Sequence, residues 1–246
     1  MSADLVQLER DGPVARIFLN RPAKANALTS AFLSELKNSF EGPKNDSALR
    51  VVVLGGRGSA FCGGADVGEL ASLDSSSAAS FVEKIHLVCE AIRRLPVPVV
   101  ARLHGAVIGA GLEIAAACDL RIAAEGTKFA MPEVRLGIPS VVEAALLPRL
   151  MGSGRAAWMV LTGEAIDARR AYEWGLIEEV SASLDADVDR LARNLLAADR
   201  ETLRVQKELM HLWEEAPLST SIAVSIERFG QAYASGNPVD RMKKLR

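Results

Sequence analysis

His104-Gly105-Ala106-Val107-Ile108-Gly109-Ala110-Gly111-Leu112-Glu113 is the stretch on which the reading of this chain turns. It leads from the apolar run Val99–Leu103 into a second one, Ile114–Cys118. Val99 to Leu103 has the length and β-branched content of a buried strand, and Gly105 to Gly111 reads as a turn into a helix that runs to about Ala117. Glycines ahead of a helix let the backbone come close to a ligand. The first turn of the helix presents N–H groups that lack partners and carry partial positive charge. Such a site suits a carbonyl oxygen that becomes negative during a reaction, an oxyanion hole. Small residues there also serve close strand-to-helix packing, so the pattern alone leaves both readings open.

Two further segments belong beside it. Ser59-Ala60-Phe61-Cys62-Gly63-Gly64-Ala65-Asp66-Val67 follows another short apolar run, Val51–Leu54, and can supply a second N–H to the same oxygen. Phe129-Ala130-Met131-Pro132-Glu133 ends in a carboxylate twenty positions after Glu113. Two carboxylates converging on one pocket can divide acid and base work. Taken singly, Glu113 also reads as a first-turn carboxylate facing the helix dipole, and Glu133 as a solvated loop residue.

Outward from these segments the chain alternates. Leu5–Leu8 and Val14–Leu19 read as a hairpin around Asp11-Gly12-Pro13. Thr29 or Ser30 caps a helix with Phe32, Leu33, Leu36 and Phe40 on one face. Asp74-Ser75-Ser76-Ser77 reads as the most loop-like stretch, ahead of a helix from about Ala78 to Leu95. Leu120–Ala123 and Thr127–Ala130 read as short strands. Beyond Pro139 the pattern turns helical, near Val142–Leu150, Gly154–Leu161, Ala168–Trp174, Leu184–Ala198, Arg200–Trp213 and Thr220–Ser235. The expectation is an α/β core over 1–185 followed by a helical region over 186–246.

Composition narrows the function classes. The 246 residues are 49% hydrophobic and 24% charged, with a net charge of −2 and interspersed signs, which offers no nucleic-acid surface. No apolar run approaches the roughly 20 residues of a membrane span. Met1-Ser2-Ala3-Asp4 carries no cationic or apolar leader, so a cytoplasmic location is expected. Cys62, Cys89 and Cys118 are widely spaced and without a CxxC pair, against both a zinc site and a disulfide framework. They read as buried thiols; Cys62, in a glycine loop, would need a nearby base to act as a nucleophile.

At this point the residues resemble a known family. Leu19-Asn20-Arg21-Pro22 with Asn26-Ala27-Leu28, Ala60 to Asp66, His104 to Glu113 with Cys118-Asp119, and Phe129 to Glu133 with Leu136-Gly137-Ile138-Pro139 occur in order. Thr162 to Ile166 and Ala171 to Ile177 follow them. Over about residues 5–235 the chain resembles the enoyl-CoA hydratase/isomerase (crotonase) superfamily. The resemblance implies an α/β fold, a spiral of ββα units with C-terminal helices that form a homotrimer or a dimer of trimers. It implies an acyl-CoA thioester substrate of the kind met in fatty acid metabolism, its thioester oxygen on the N–H groups of Ala65 and Ala110. CoA and substrate contacts would come from Lys24, Ala25, Ala27, Ala65, Asp66, Val67 and Gly109. No metal or redox cofactor is implied, coenzyme A being part of the substrate.

Glutamates at both matching positions resemble the hydratases of that family, with Glu133 moving the proton at the α-carbon and Glu113 handling water. The expected function is therefore reversible addition of water to a 2-enoyl-CoA. The alternatives are a double-bond isomerase using Glu133 alone or with Glu143, or another acyl-CoA hydrolase or decarboxylase. Glu143 is a third carboxylate near the pocket, but it reads better as a first-turn helix acid. His104 reads as a hydrogen-bonded structural histidine, and His86 and His211 offer no ligand spacing. Arg21 and Lys24 can meet CoA phosphates or stand as surface charge. The end of the chain, Asn237 to Arg246, is shorter than the family's usual terminus, which contributes an aromatic and a basic residue to CoA binding; Phe229, Lys243 and Lys244 match that pattern too loosely to be given the role.

Overall fold

A computed structural model describes residues 4–42, 46–234 and 237–243. Strands β1 (Val6–Asp11) and β2 (Val14–Leu19) pair antiparallel in the predicted hairpin. Helix α1 (Ser30–Glu41) starts at Thr29, whose side chain accepts from the Phe32 N–H. It buries Phe32, Leu33, Leu36 and Phe40, the four positions that its periodicity marks. Strand β3 (Val51–Gly56) runs through both glycines and is buried along its whole length. Gly56 belongs inside the strand because a Cβ there would strike the Ala60 and Phe61 carbonyls.

A single turn, α2 (Val67–Leu70), precedes helix α3 (Ser75–Arg93). Asp74–Ser77 is therefore a helix start and not a loop. Asp74 accepts from the Ser77 N–H while the Ser77 hydroxyl meets the Asp74 backbone, a reciprocal cap. The polar side chains that make the stretch look loop-like are the ones that close those backbone groups.

Next, β4 (Val99–Leu103) is followed by β5 (Ala106–Ile108), where the sequence suggested only a turn, and then by helix α4 (Ala110–Ala117). Strands β6 (Leu120–Ala124) and β7 (Lys128–Ala130) repeat the pattern. One six-stranded sheet has the order β1-β2-β3-β4-β6-β9, parallel beyond the hairpin; a second has the order β5-β7-β8. Strands β8 (Ile166–Asp167) and β9 (Glu179–Ser181) are too short to carry a period in the sequence. The β4–β5 and β6–β7 turns of the chain each lay one strand in the large sheet and one in the small sheet, a spiral of ββα units.

Two 3-10 turns, Glu133–Leu136 and Val142–Leu146, lead into α5 (Leu147–Met151), α6 (Ser153–Thr162) and α7 (Ala168–Trp174). Helix α8 (Leu184–Ala197) crosses the boundary between two compact units, 1–195 and 196–246. The second unit contains α9 (Arg200–Glu215), α10 (Leu218–Ala234) and α11 (Asn237–Lys243). Within it the Trp213 indole donates to Ser225 Oγ at 3.0 Å. Among the described residues no helix is long and apolar enough to cross a membrane, and no group of His, Cys, Asp and Glu is placed to hold a metal ion.

Candidate active site

The site begins with Gly109, which caps α4 at φ 51° and ψ −122°, a conformation that a side chain disfavours. Its N–H donates to the Ala130 carbonyl at 2.9 Å. Its own carbonyl accepts from Leu112 and Glu113 at 2.8 and 3.0 Å. The Ala110 N–H, one residue on, has no acceptor among the described residues. Gly111 lets α4 lie against Cys62, since a Cβ there would come within 2.6 Å of the Cys62 Cβ.

Backbone pairing brings the second loop to the same place. Cys62 bridges Val107 of β5 in parallel fashion, with Cys62 N–H on Ala106 and Ile108 N–H on Cys62. Leu28 bridges Ala65: Leu28 N–H donates to Gly64, and Asp66 N–H donates to Leu28. In such a parallel bridge the middle residue's own N–H faces away from its partner. The Ala65 N–H accordingly has no acceptor among the described residues.

Asn26 anchors this arrangement. It is fully buried at φ 57°, and its amide nitrogen donates to the carbonyls of Arg57, Ala60 and Phe61 at 3.0, 2.8 and 3.1 Å. Its carbonyl accepts from the Arg21 N–H at 2.8 Å. The sequence marks Asn26 only as part of a motif. A polar residue with all its capacity used in the core is legible only once the loop is closed around it.

The two glutamates meet at α4. Glu113 is 4% exposed, and its Oε1 accepts from the Ala144 N–H at 3.1 Å. Glu133 stands at the start of its 3-10 turn, its Oε2 accepting from Ser140 Oγ at 3.0 Å. Its other oxygen lies against Gly109, where an added Cβ would overlap it. Burial pushes the Glu113 carboxyl up to about 8, helped by the Glu133 charge and more weakly by Glu143, against the Ala144 hydrogen bond. Ser140 and Ala144 carry no sequence signal for these contacts.

The remaining predicted residues divide. Ala25 accepts from the Gly63 N–H at 2.8 Å, and Ala27 accepts from Arg21 Nη1 at 2.9 Å, so both adjoin the second loop. Asp66 caps α2 and is paired with Arg21 at 2.6 Å; that guanidinium holds its carboxyl below the usual range. Arg21 is thus committed to closing the loop, a role its sequence context does not separate from surface charge. Lys24 and Val67 are exposed beside these segments. Phe229 and Lys243 belong to the second unit, and Lys244 lies outside the described residues.

Cys62 is buried, and burial pushes its thiol up to about 12, which leaves it no thiolate character at neutral pH. The other two cysteines are buried and in no disulfide. His104 contacts the Gly58 carbonyl at 3.0 Å and Arg102 at 3.2 Å, a structural role. His86 has a partner that its spacing hides: its Nδ1 lies 2.8 Å from Glu143 Oε1.

Comparison with known proteins matches the chain to a family. Residues 9–237 match the family model described as enoyl-CoA hydratase/isomerase. A probable enoyl-CoA hydratase of Bacillus subtilis is 34% identical over 94% of this chain and 91% of its own. A crotonyl-CoA hydratase of Syntrophomonas wolfei is 30% identical over 98% of this chain and 95% of its own. The crystal structure of an enoyl-CoA hydratase from Thermoplasma volcanium superposes with a TM-score of 0.93 at 31% identity, covering 98% and 97% of the two chains. This chain belongs to the enoyl-CoA hydratase/isomerase family.

Proposed function

We propose that the protein adds water reversibly across the conjugated double bond of a 2-enoyl-CoA thioester. The observation that carries this is the carboxylate pair: Glu113 is buried and keeps its proton to about pH 8, beside the charge on the half-buried Glu133. One proton and one negative charge shared by two carboxylates are what hydration and dehydration both require. An isomerase that shuttles a proton with Glu133 has no use for the second carboxylate.

In hydration, water attacks the β-carbon as Glu113 takes its proton. The electron pair of the C=C moves toward the thioester, whose oxygen becomes an enolate held by the N–H groups of Ala65 and Ala110. Glu133 delivers a proton to the α-carbon, and the product is a 3-hydroxyacyl-CoA. The turnover ends with the proton on Glu113 and the charge on Glu133, the arrangement that burial favours in the free protein. Dehydration starts from that state. Lys24, Ala25, Ala27, Asp66 and Val67 line the approach for the CoA portion, and no metal or redox group enters either direction.

The reading extends to assembly. On the second unit Leu218, Ile226 and Phe229 are 77%, 69% and 68% exposed, and with Trp213 and Ile222 they line an apolar groove of about 640 Å³. An apolar face of this kind supports self-association through α9 and α10, as a trimer or a dimer of trimers.

The test follows the conjugated-enoyl absorbance of crotonyl-CoA, with a 3-enoyl-CoA in parallel. Loss of absorbance supports hydration. An inert crotonyl-CoA alongside a 3-enoyl-CoA that gains conjugation would establish the isomerase instead. Activity in kcat/KM should fall as pH rises through about 8, where the pair loses its last proton.

A further inference from the structure

A third carboxylate adjoins the pair. Glu143 is 7% exposed, yet only one of its oxygens is used: Oε1 meets His86 on α3, while Oε2 is buried with no partner among the described residues. Burying half a carboxylate unpaired is costly. The residue before it adds to that cost. Val142 sits at φ 40°, in the left-handed region that a β-branched side chain strongly disfavours. Two local penalties in adjacent residues point to a constraint set by something nearby. That neighbour is Glu113, which accepts from the Ala144 N–H at the end of this strained step. The same N–H also lies 3.0 Å from the Val141 carbonyl, so the turn must be held to keep it on Glu113.

We propose that Glu143, held by His86, is a positioning residue for Glu113: it locks the turn that delivers the Ala144 N–H and places a third negative charge beside the acid–base pair. His86 anchors the turn from the outside, its side chain 50% exposed. Helix α3 faces the cluster with His86 and Cys89, α4 with Glu113 and Cys118, and the 3-10 turn at 133 with Glu133. Both Glu143 and Glu113 bear on the Cys89 thiol, which burial first and then these two charges push well above its usual range. The inference rests on Glu113 being an acid–base group, as proposed above.

The test reads Glu113 directly. Infrared titration of the free protein detects its protonated carboxyl, identified by the band lost in Glu113→Gln. The kcat/KM profile on crotonyl-CoA is measured alongside. Glu143→Gln keeps the shape and the hydrogen bond to His86 but removes the charge. The Glu113 midpoint, about 8 in the wild type, should fall, and the alkaline limb of activity should move with it. His86→Ala frees the turn and loosens the Ala144 hydrogen bond, so it should lower kcat about tenfold and raise the Glu113 midpoint, with little change in KM. His86→Gln, which restores a donor to Glu143, should recover most of that loss. A Glu113 midpoint unchanged in Glu143→Gln overturns the charge role, and full kcat in His86→Ala overturns the anchoring role. Should Glu143→Gln fail to fold, the His86 pair decides. If no acyl-CoA is hydrated, the proposed activity falls while the infrared titration still decides the role of Glu143.

Discussion

Replacing Gly109 with alanine tests the construction of the site at its tightest point. At φ 51° and ψ −122° an alanine is strained by about 1–3 kcal/mol, which for a chain of this size lowers Tm by about 2–4 °C per kcal/mol. The added Cβ also overlaps Glu133 Oε1 and lies 3.5 Å from its Cδ, so the carboxylate must move by about 1 Å. A displacement of that size costs about 10²-fold in rate. Any tilt of the Ala110 N–H off the oxyanion adds to it, because one such donor is worth about 10²–10³ in kcat. The expected result is a folded protein with kcat on crotonyl-CoA reduced at least about 100-fold. Gly126→Ala is the control: it too has positive φ, at 81°, but nothing lies within 4 Å of its Cβ. That variant should lose comparable stability and keep its activity. If Gly109→Ala retained activity within about tenfold of the wild type, Glu133 would not be held against Gly109 in the working enzyme, and the role given to that carboxylate would fail.

Glu113→Gln should abolish hydration, a loss of about 10²–10⁴ for a missing acid–base group, and it should also change the pH dependence of stability. The folded carboxyl sits near 8 against an unfolded 4.5, so its contribution is present below 4.5 and is lost as pH rises through 8. That window is worth up to roughly 5 kcal/mol, and urea midpoints at pH 5 and pH 9 should fall further in the wild type than in the variant. An equal fall in both proteins would contradict the burial argument. Asn26→Ala leaves the Arg57, Ala60 and Phe61 carbonyls without their donor and should cost about 3 kcal/mol in chemical denaturation; a loss under about 1 kcal/mol would show that the loop closes without it. Ile226→Asp places a charge on the apolar face of α10 and should release monomers in sedimentation, whereas a wild type already monomeric would remove the case for self-association there.

Much of the large sheet was legible because its strands announce themselves. Val51–Leu54 and Val99–Leu103 are short apolar runs between turn residues, and α1 and α3 carry a periodic face. Of the small sheet only β7 was legible, within the run Thr127–Ala130. Three residues of β5, enclosed by glycines, have no period to read, and they become a strand only because Cys62 and β7 pair on either side of them. The polar cap at Asp74–Ser77 misled for a related reason, since serine and aspartate serve a loop and a helix start equally well.

The sequence by itself determined the two glycine-bearing loops, the pair Glu113 and Glu133, and the family, because each lies within a contiguous segment whose chemistry is local. The tertiary structure decided what those groups can do. It leaves the N–H groups of Ala65 and Ala110 without acceptors, sets Glu133 against Gly109, and buries Glu113 deeply enough to hold its proton to about pH 8. It also joins Glu143 to His86, fifty-seven positions away. Hydrogen bonding and desolvation depend on which atoms surround a group, and those atoms come from segments that the chain brings together only on folding.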